Sequence, residues 1–169
     1  MIRIAIDGPG GAGKSTIAKL VGDKLGLEYI DTGAMYRAVG LKLTRKGIKP
    51  DDLISISNIL EETTIDFVNG KIILDGDDVS DIIRTQEISK FASIYSQIPE
   101  VRSKLVDIQR RIAAGKSVIM DGRDIGTNVL TDAELKIFLT ADSMVRARRR
   151  YDEFRSKGIK ANLDDIHEE

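Results

Sequence analysis

The sequence Gly8-Pro9-Gly10-Gly11-Ala12-Gly13-Lys14-Ser15 lies directly after the apolar run from Ile2 to Ile6 and directly before a helical pattern from Ser15 to Leu25. It matches G-x-x-x-x-G-K-[ST], the phosphate-binding loop called the P-loop. Glycines allow successive backbone amides to turn inward around a phosphate, and the following helix presents the positive end of its dipole. The motif predicts that Lys14 reaches the β- and γ-phosphates of a nucleotide and that the Ser15 hydroxyl ligates Mg²⁺. The alternative is a glycine-rich turn that binds nothing.

The composition is typical of one α/β domain and excludes several classes of function. Of 169 residues, 41% are hydrophobic and 31% charged, and the formal net charge is −1, so no overall field attracts a nucleic acid polymer. No run approaches the roughly 18 apolar residues of a membrane span, and the start lacks a signal core, so we expect a cytoplasmic protein that does not bind membranes. The absence of cysteine excludes disulfides and thiolate sites, and the single His167, in an acidic tail, is expected on the surface.

Strand and helix patterns alternate along most of the chain. The β-rich runs 3–7 and 27–30 each precede a helical pattern, and the first of these helices has apolar residues at Ile17, Leu20, Val21 and Leu25. We expect further helices after Asp31-Thr32-Gly33, stopping at Gly47, and from Pro50-Asp51-Asp52. Two more helices are expected over 82–97 and 99–115, and a basic helix from Asp142 or Ser143 to Lys157. The remaining expected strands are 116–120 and 135–139.

Residues 63–84 break this alternation. Asn69-Gly70 lies between the β-rich runs 65–68 and 71–74, which is a strong signal for an antiparallel hairpin. Asp75-Gly76 offers a further turn, after which a segment through Val79 could add a third strand. We therefore expect a small antiparallel insertion beside the main sheet.

Three polar turns are expected to meet at one edge of that sheet. Alternating strands and helices predict a parallel sheet with right-handed crossovers, in which ligands bind outside the carboxyl ends of the strands. The P-loop, Asp31-Thr32-Gly33 and Asp121-Gly122-Arg123-Asp124 all follow predicted strands. A second ligand beside the nucleoside triphosphate is the inference.

Six segments together select one class of P-loop protein. They are, in chain order, Ile-Asp-Gly-Pro-Gly-Gly-Ala-Gly-Lys-Ser at 6–15, Asp-Thr-Gly-Ala-Met-Tyr-Arg at 31–37, Ile-Arg-Thr-Gln-Glu at 83–87, Val-Arg at 101–102, Asp-Gly-Arg-Asp-Ile-Gly-Thr at 121–127 and Lys-Ile-Phe-Leu at 136–139. In these segments, and in their order, the chain resembles the bacterial cytidylate kinases. The resemblance implies transfer of a phosphoryl group from ATP to CMP or dCMP, giving CDP or dCDP.

The resemblance also implies an architecture. It is a single P-loop kinase domain over 1–169 with an α/β, P-loop NTPase-type parallel sheet flanked by helices. The antiparallel insertion, 63–84, would belong to the monophosphate-binding part, and residues 143–160 would start a lid that closes over ATP. We further expect a monomer that binds no nucleic acid polymer.

Roles follow for residues that match the family's motifs. ATP would be bound by Gly8, Pro9, Gly10, Gly11, Ala12, Gly13, Lys14, Ser15 and Thr16, with Arg146 and Arg149, and Mg²⁺ by Ser15. The acceptor phosphate would be held by Arg37 and Arg123, and the cytosine ring read by Ser93, Arg102 and Asp124. Asp124 is informative, because a carboxylate accepts from the cytosine 4-amino group, whereas uracil offers a carbonyl there. Thr32 stands near the acceptor, where the family often has serine.

Structural alternatives stay open for several of these residues. Arg37 could pair with an acid on its own helix, and Arg102 with Glu100 or Asp107. Asp124 could cap a turn. Lys14, Arg37, Arg123 and Asp121 are the expected catalytic set, although Asp121 could orient a magnesium-bound water or hydrogen bond only for structure.

The basic helix has an alternative as well. Arg146, Arg149 and Arg150 share one helical face, which could be a solvated surface neutralised by Asp142 and Glu153 rather than a lid.

The largest departure from the family is at the end of the sequence. Family members continue with a segment that carries further arginines and an aspartate, followed by a strand and a helix, whereas this sequence stops at His167-Glu168-Glu169. We expect either an incomplete chain or a defective relative. The competing functions are a kinase for another small acceptor, such as shikimate or a different nucleoside monophosphate, and a nucleotide-binding module without turnover.

Overall fold

The computed structural model describes residues 1–156 and 158–168. In chain order the strands are β1 Arg3–Asp7, β2 Glu28–Asp31, β3 Ile65–Val68, β4 Lys71–Leu74, β5 Asp77–Asp78, β6 Val118–Gly122 and β7 Leu135–Phe138. The α-helices are α1 Lys14–Leu25, α2 Thr32–Arg45, α3 Leu53–Glu61, α4 Gln86–Tyr95, α5 Pro99–Ala113, α6 Ser143–Ser156 and α7 Leu163–Glu168. A 3₁₀ turn covers Ile82–Arg84 and a π-helical turn covers Ile125–Val129.

The main sheet is parallel and has the strand order β2-β6-β1-β7, which confirms the predicted α/β architecture. The middle residues of its central strands are apolar because helices cover both faces. Ile4, Ile6 and Ile119 pack on the α1 side, whereas Ala5 and Met120 face the larger core on the side of α2 and α5. The P-loop therefore begins at the carboxyl end of a buried strand.

Helix α1 packs through small residues and Val21 rather than through all four apolar positions noted in the sequence. Its buried residues are Ala18 and Gly22, whereas Ile17, Leu20 and Leu25 are 42–59% exposed. A Cβ at Gly22 would lie 3.1 Å from the Leu27 carbonyl oxygen. The close approach of helix to strand thus selects small side chains for the inner face.

The antiparallel insertion is a separate three-stranded sheet with the order β3-β4-β5. Asn69 and Gly70 both have positive φ, 52° and 76°, as the predicted two-residue hairpin requires. Inward residues alternate with exposed ones along β3, and the buried side chains join the same core as α2. Lys42 of α2 also pairs with Asp75 beside the hairpin, with 2.6 Å between Nζ and Oδ2.

Two predicted helix boundaries were wrong. The expected helix over 82–97 divides at Thr85, whose extended backbone starts α4 and whose hydroxyl accepts the Ile88 amide at 3.2 Å. The helix expected from Pro50-Asp51-Asp52 begins only at Leu53. Asp52 is its cap, because its Oδ1 accepts the Ser55 amide at 3.0 Å.

The last segment contains the predicted basic helix and a short helix, α7, that the sequence did not predict. The expected end of the basic helix at Lys157 lies outside the described residues. His167 is exposed, as predicted, and its Nε2 lies 3.0 Å from the Ser143 hydroxyl at the start of α6. No helix in the described ranges is long and apolar enough to cross a membrane.

Candidate active site

The P-loop is shaped by glycines at positions that no other residue fits. Gly8 has φ 146°, and a Cβ there would lie 2.0 Å from the carbonyl oxygen of Leu139, just after β7. Gly13, at φ 97°, caps the start of α1. The loop thus turns tightly from β1 into the helix, as a phosphate-binding loop must.

Lys14 lies across the mouth of this loop. Its ammonium donates to the Pro9 carbonyl at 2.9 Å. Burial lowers the pKa of Lys14, while the negative charge of Asp121 opposes that shift. The side chain is therefore a partly desolvated cation held against a carbonyl of the loop.

Asp121, at the end of β6, joins the P-loop to the neighbouring strand. It is 5% exposed, and it accepts the Ser15 hydroxyl at 2.7 Å and the Tyr29 hydroxyl at 2.9 Å. Burial raises the pKa of Asp121, and the charge of Asp31 adds to that shift. The hydroxyl of Thr32, the first residue of α2, donates to the main-chain carbonyl of Asp121 at 2.7 Å, so Thr32 belongs to the same network.

The oxygen atoms near Ser15 suit Mg²⁺ better than a softer metal. The described residues hold no cluster of three or more histidine, cysteine or acidic side chains that could bind a metal by themselves. One hydroxyl and one carboxylate, Ser15 and Asp121, are what the site offers. Mg²⁺ accepts such a site, because it keeps several waters and takes its other ligands from substrate phosphates.

Arg37 and Arg123 enter the site from different elements. Arg37 of α2 pairs with Asp31, the cap of its own helix, with 3.1 Å between Nη2 and Oδ2. Its Nε is buried without a partner among the described residues. Arg123 follows β6, is exposed, and makes no ion pair within the described ranges. Both guanidinium groups thus keep donors available for an anion.

Arg102 and Asp124 form an ion pair of 2.5 Å, rather than the predicted alternatives of Arg102 with Glu100 or Asp107. The same oxygen of Asp124, Oδ2, accepts the side-chain amide Nδ2 of Asn128 at 2.9 Å. Its other oxygen, Oδ1, has no partner among the described residues. Nearby, Tyr36 is close enough for its pKa, raised mainly by burial, to respond to the charges of Arg102 and Asp124.

Asp7 is a site residue that sequence reasoning missed. Its Oδ1 accepts the Ile125 amide at 2.7 Å and its Oδ2 the Gly126 amide at 2.9 Å. These bonds fix the turn that carries Arg123 and Asp124. In the sequence Asp7 is only the last residue of a strand, and no local pattern signals contacts more than 100 positions away.

The arginines of α6 divide between two surfaces. Arg146 donates to the Gly10 carbonyl at 3.5 Å, and Arg149 to the Gly11 carbonyl at 3.0 Å. Arg150 instead lies over the ring of Phe154, 5.4 Å from its centre. Two of the three predicted arginines therefore adjoin the P-loop.

These groups surround one cavity of about 970 Å³. Of the sequence-predicted residues, those that line it are Gly10, Gly11, Lys14, Ser15, Thr32, Arg37, Ser93, Arg102, Asp121, Arg123 and Asp124. The other predicted site residues do not line it; they are Gly8, Pro9, Ala12, Gly13, Thr16, Arg146 and Arg149. Tyr36 and Arg84 also line the cavity, and both lie in the six segments that resemble the family. Gln109 lines it too, but it lies within a predicted helix and nothing in the sequence marked it as a site residue.

Comparison with known proteins identifies close relatives along nearly the whole chain. The family model described as "Cytidylate kinase" matches residues 4–169. A protein named cytidylate kinase from Caldanaerobacter subterraneus subsp. tengcongensis is 52% identical over 168 residues, which are 99% of this chain and 75% of that protein. Its namesake from Caldicellulosiruptor saccharolyticus is 54% identical, covering 98% of this chain and 76% of its own. Another, from Clostridium perfringens, is 48% identical with the same two coverages.

Proposed function

The chain belongs to the cytidylate kinase family, and on that premise we propose that ATP is its phosphoryl donor, that Mg²⁺ accompanies the ATP, and that the residues of the cavity divide between the two nucleotides. The activity itself, phosphorylation of CMP and dCMP in pyrimidine nucleotide metabolism, is that of the family. One observation carries the proposal: a P-loop lysine, two arginines and an acid next to an arginine line a single cavity.

The donor half is formed by the P-loop and α6. The loop amides and the start of α1 would surround the phosphates, and Lys14 would move from the Pro9 carbonyl to the β- and γ-oxygens. Arg146 and Arg149 already lie against the loop carbonyls, so they support a role for 143–160 as the start of a lid. When bound, Mg²⁺ would neutralise charge on the phosphate oxygens.

The Ser15 hydroxyl is the protein ligand we assign to that ion. Asp121 accepts the Ser15 hydroxyl hydrogen, so it orients the oxygen and could also hold a water of the ion. Its second oxygen is occupied by Tyr29, which fixes the carboxylate plane.

The acceptor half is held by Arg37 and Arg123. A guanidinium binds phosphate oxygens through two parallel donors and stays charged near neutral pH. Asp31 holds Arg37 in place, and Asp7 holds the turn of Arg123. Phosphoryl transfer depends mainly on in-line positioning and charge neutralisation, so the reaction requires no dedicated general base.

Base selection is assigned to Ser93, Arg102 and Asp124, with Thr32 near the acceptor. The open Oδ1 of Asp124 supports this assignment, because it can accept the cytosine 4-amino group while Oδ2 keeps Arg102 and Asn128. We also assign the insertion at 63–84 to the monophosphate-binding part. A monomer suffices, since one chain supplies all these residues.

An acceptor panel tests the proposal. The protein is assayed with ATP and Mg²⁺ against CMP, dCMP, UMP and AMP in a coupled assay of ADP release. We expect CMP and dCMP to be the best acceptors and turnover to stop when Mg²⁺ is chelated. Faster turnover of another acceptor would contradict the base assignment, and CMP binding without CDP formation would indicate a binding module.

A further inference from the structure

Gln109 is a buried amide side chain that the proposed mechanism does not use. It lies on α5, is 2% exposed, and lines the same cavity as the P-loop and the acceptor arginines. Within the described residues its side-chain amide makes no hydrogen bond, and neither amide atom is sealed off from the cavity. An uncharged donor and acceptor therefore faces the space that the ligand would fill.

An amide that faces a cavity without a protein partner has only water to bond there, so a ligand that displaces this water must replace those hydrogen bonds or leave the amide unsatisfied. Most buried side-chain polar groups in proteins have a partner, so an exception calls for a ligand or an ordered water. Gln109 carries two N–H donors and one acceptor oxygen. Its position in a cavity wall indicates that the missing partner arrives with the ligand.

The surroundings of Gln109 show which part of the ligand that is. Gln109 follows Arg102 by seven residues, two helical turns, so the two lie on the same face of α5. The neighbouring Arg110 donates to the Asn128 carbonyl at 2.6 Å, which fastens α5 to the turn that carries Asp124. Gln109 therefore belongs to the wall with Arg102 and Asp124. A neutral amide suits the uncharged part of a nucleotide, whereas the phosphate is matched by the arginines.

We propose that Gln109 hydrogen bonds the pyrimidine base of the bound acceptor. The proposal rests on the proposed function, which supplies the ligand. The edge of a pyrimidine presents both donors and acceptors, and a carboxamide can form hydrogen bonds with both. A contact to the base would be shared by CMP and dCMP, since these differ only at the sugar.

The test replaces Gln109 with Met, which keeps the length of the side chain and removes its hydrogen bonds, and with Asn, which withdraws the amide. Binding of CMP and of dCMP is measured by calorimetry, and KM values for CMP, dCMP and ATP in the coupled assay. We expect both variants to weaken CMP and dCMP equally, by about 3- to 10-fold, with the KM for ATP unchanged. The matched control is Thr44→Val. It removes a buried hydroxyl that has no partner among the described residues and does not line the cavity, and it should leave every constant unchanged.

The outcomes separate the alternatives. Unchanged CMP affinity in a folded variant would overturn the contact, and a loss confined to CMP would assign Gln109 to the 2′-hydroxyl instead of the base. An equal loss for ATP would indicate a structural role and likewise overturn it. If Gln109→Met does not fold, Gln109→Asn gives the same readouts. Absence of CDP formation by the unaltered protein would contradict the proposed function, whereas the calorimetric test of Gln109 does not depend on turnover.

Discussion

At the scale of single residues, we expect the charge of Lys14 to act mainly on a bound phosphate rather than on the protein itself. Its one hydrogen bond in the structure goes to the Pro9 carbonyl, so the folded state gains little from the ammonium. We expect Lys14→Ala to keep the melting temperature and to lower kcat by about 10²-fold or more, because the lost contact acts on the transferring phosphate. Thermal melting and the coupled assay measure the two effects.

Lys24→Ala is the matched control for Lys14, since it removes an exposed lysine from the same helix. It should leave kcat unchanged. Normal turnover in a folded Lys14→Ala protein would contradict the assignment of the P-loop as the ATP-binding loop.

Asp124 is the second residue at which we expect one substitution to change activity, here the preference for CMP over UMP. Asp124→Asn places an amide where uracil has its 4-carbonyl, so the preference for CMP over UMP should narrow by about 1–3 kcal/mol. The ratio of kcat/KM for the two acceptors measures this. The same change at Asp132, which pairs with Arg3 on the surface at 2.9 Å, should leave that ratio at the parent value. A preserved ratio in Asp124→Asn would exclude it as the reader of the base.

At the scale of elements, sequence patterns predicted what is local and missed what is distant. The hairpin at Asn69-Gly70 and the P-loop were predicted because each turn is determined by its own residues. The break at Thr85 was missed because no glycine or proline interrupts residues 82–97, and only packing selects the cap. Gln109 was missed for a related reason: nothing local marks which face of a helix meets a cavity.

The turn after β6 depends on Asp7 for its shape. Asp7→Ala removes two charge-assisted bonds to backbone amides and should lower the free energy of unfolding by about 2–4 kcal/mol. Because the turn carries Arg123 and Asp124, the KM for CMP should rise more than the KM for ATP. Chemical denaturation and initial rates measure these changes.

Two further variants isolate the effect of Asp7. Asp7→Asn keeps one acceptor oxygen and should give an intermediate loss. Glu134→Ala also removes a carboxylate from a backbone amide, that of Arg3 at 2.7 Å, but far from the cavity, and should not change the KM for CMP. An unaltered KM for CMP in Asp7→Ala would mean that the turn keeps its shape without the carboxylate.

At the scale of the whole molecule, the Lys42–Asp75 pair fastens the small sheet to α2. Burial alone would raise the pKa of Asp75, but Lys42 and the Thr64 amide outweigh it, so the pKa lies below its usual value. A lowered pKa contributes stability above about pH 4, and this contribution is lost as the pH falls through the folded-state pKa. Lys42→Met should cost about 1–2 kcal/mol at neutral pH, since Asp75 is partly exposed to solvent, and less below pH 4.

Denaturation of both proteins between pH 3 and pH 7 measures that difference. Lys71→Met is the matched control, because it breaks an exposed lysine–aspartate pair in the same small sheet. The control should leave the free energy of unfolding nearly unchanged. If the free energies of unfolding of the parent and Lys42→Met differ by the same amount at every pH, Asp75 is not the cause of that difference.

The position of Asp7 also has a thermodynamic consequence. Its backbone continues into the donor loop at Gly8, while its carboxylate holds the turn of the acceptor site. We therefore expect order imposed on one loop by a nucleotide to be transmitted to the other. Linkage makes such an effect reciprocal, so ATP and CMP should raise each other's affinity by one common factor, measurable by calorimetry of CMP with and without a non-hydrolysable ATP analogue. The nucleotide that binds first then bears the free-energy cost of ordering both loops. The total binding free energy of the two nucleotides is the same for either order of binding.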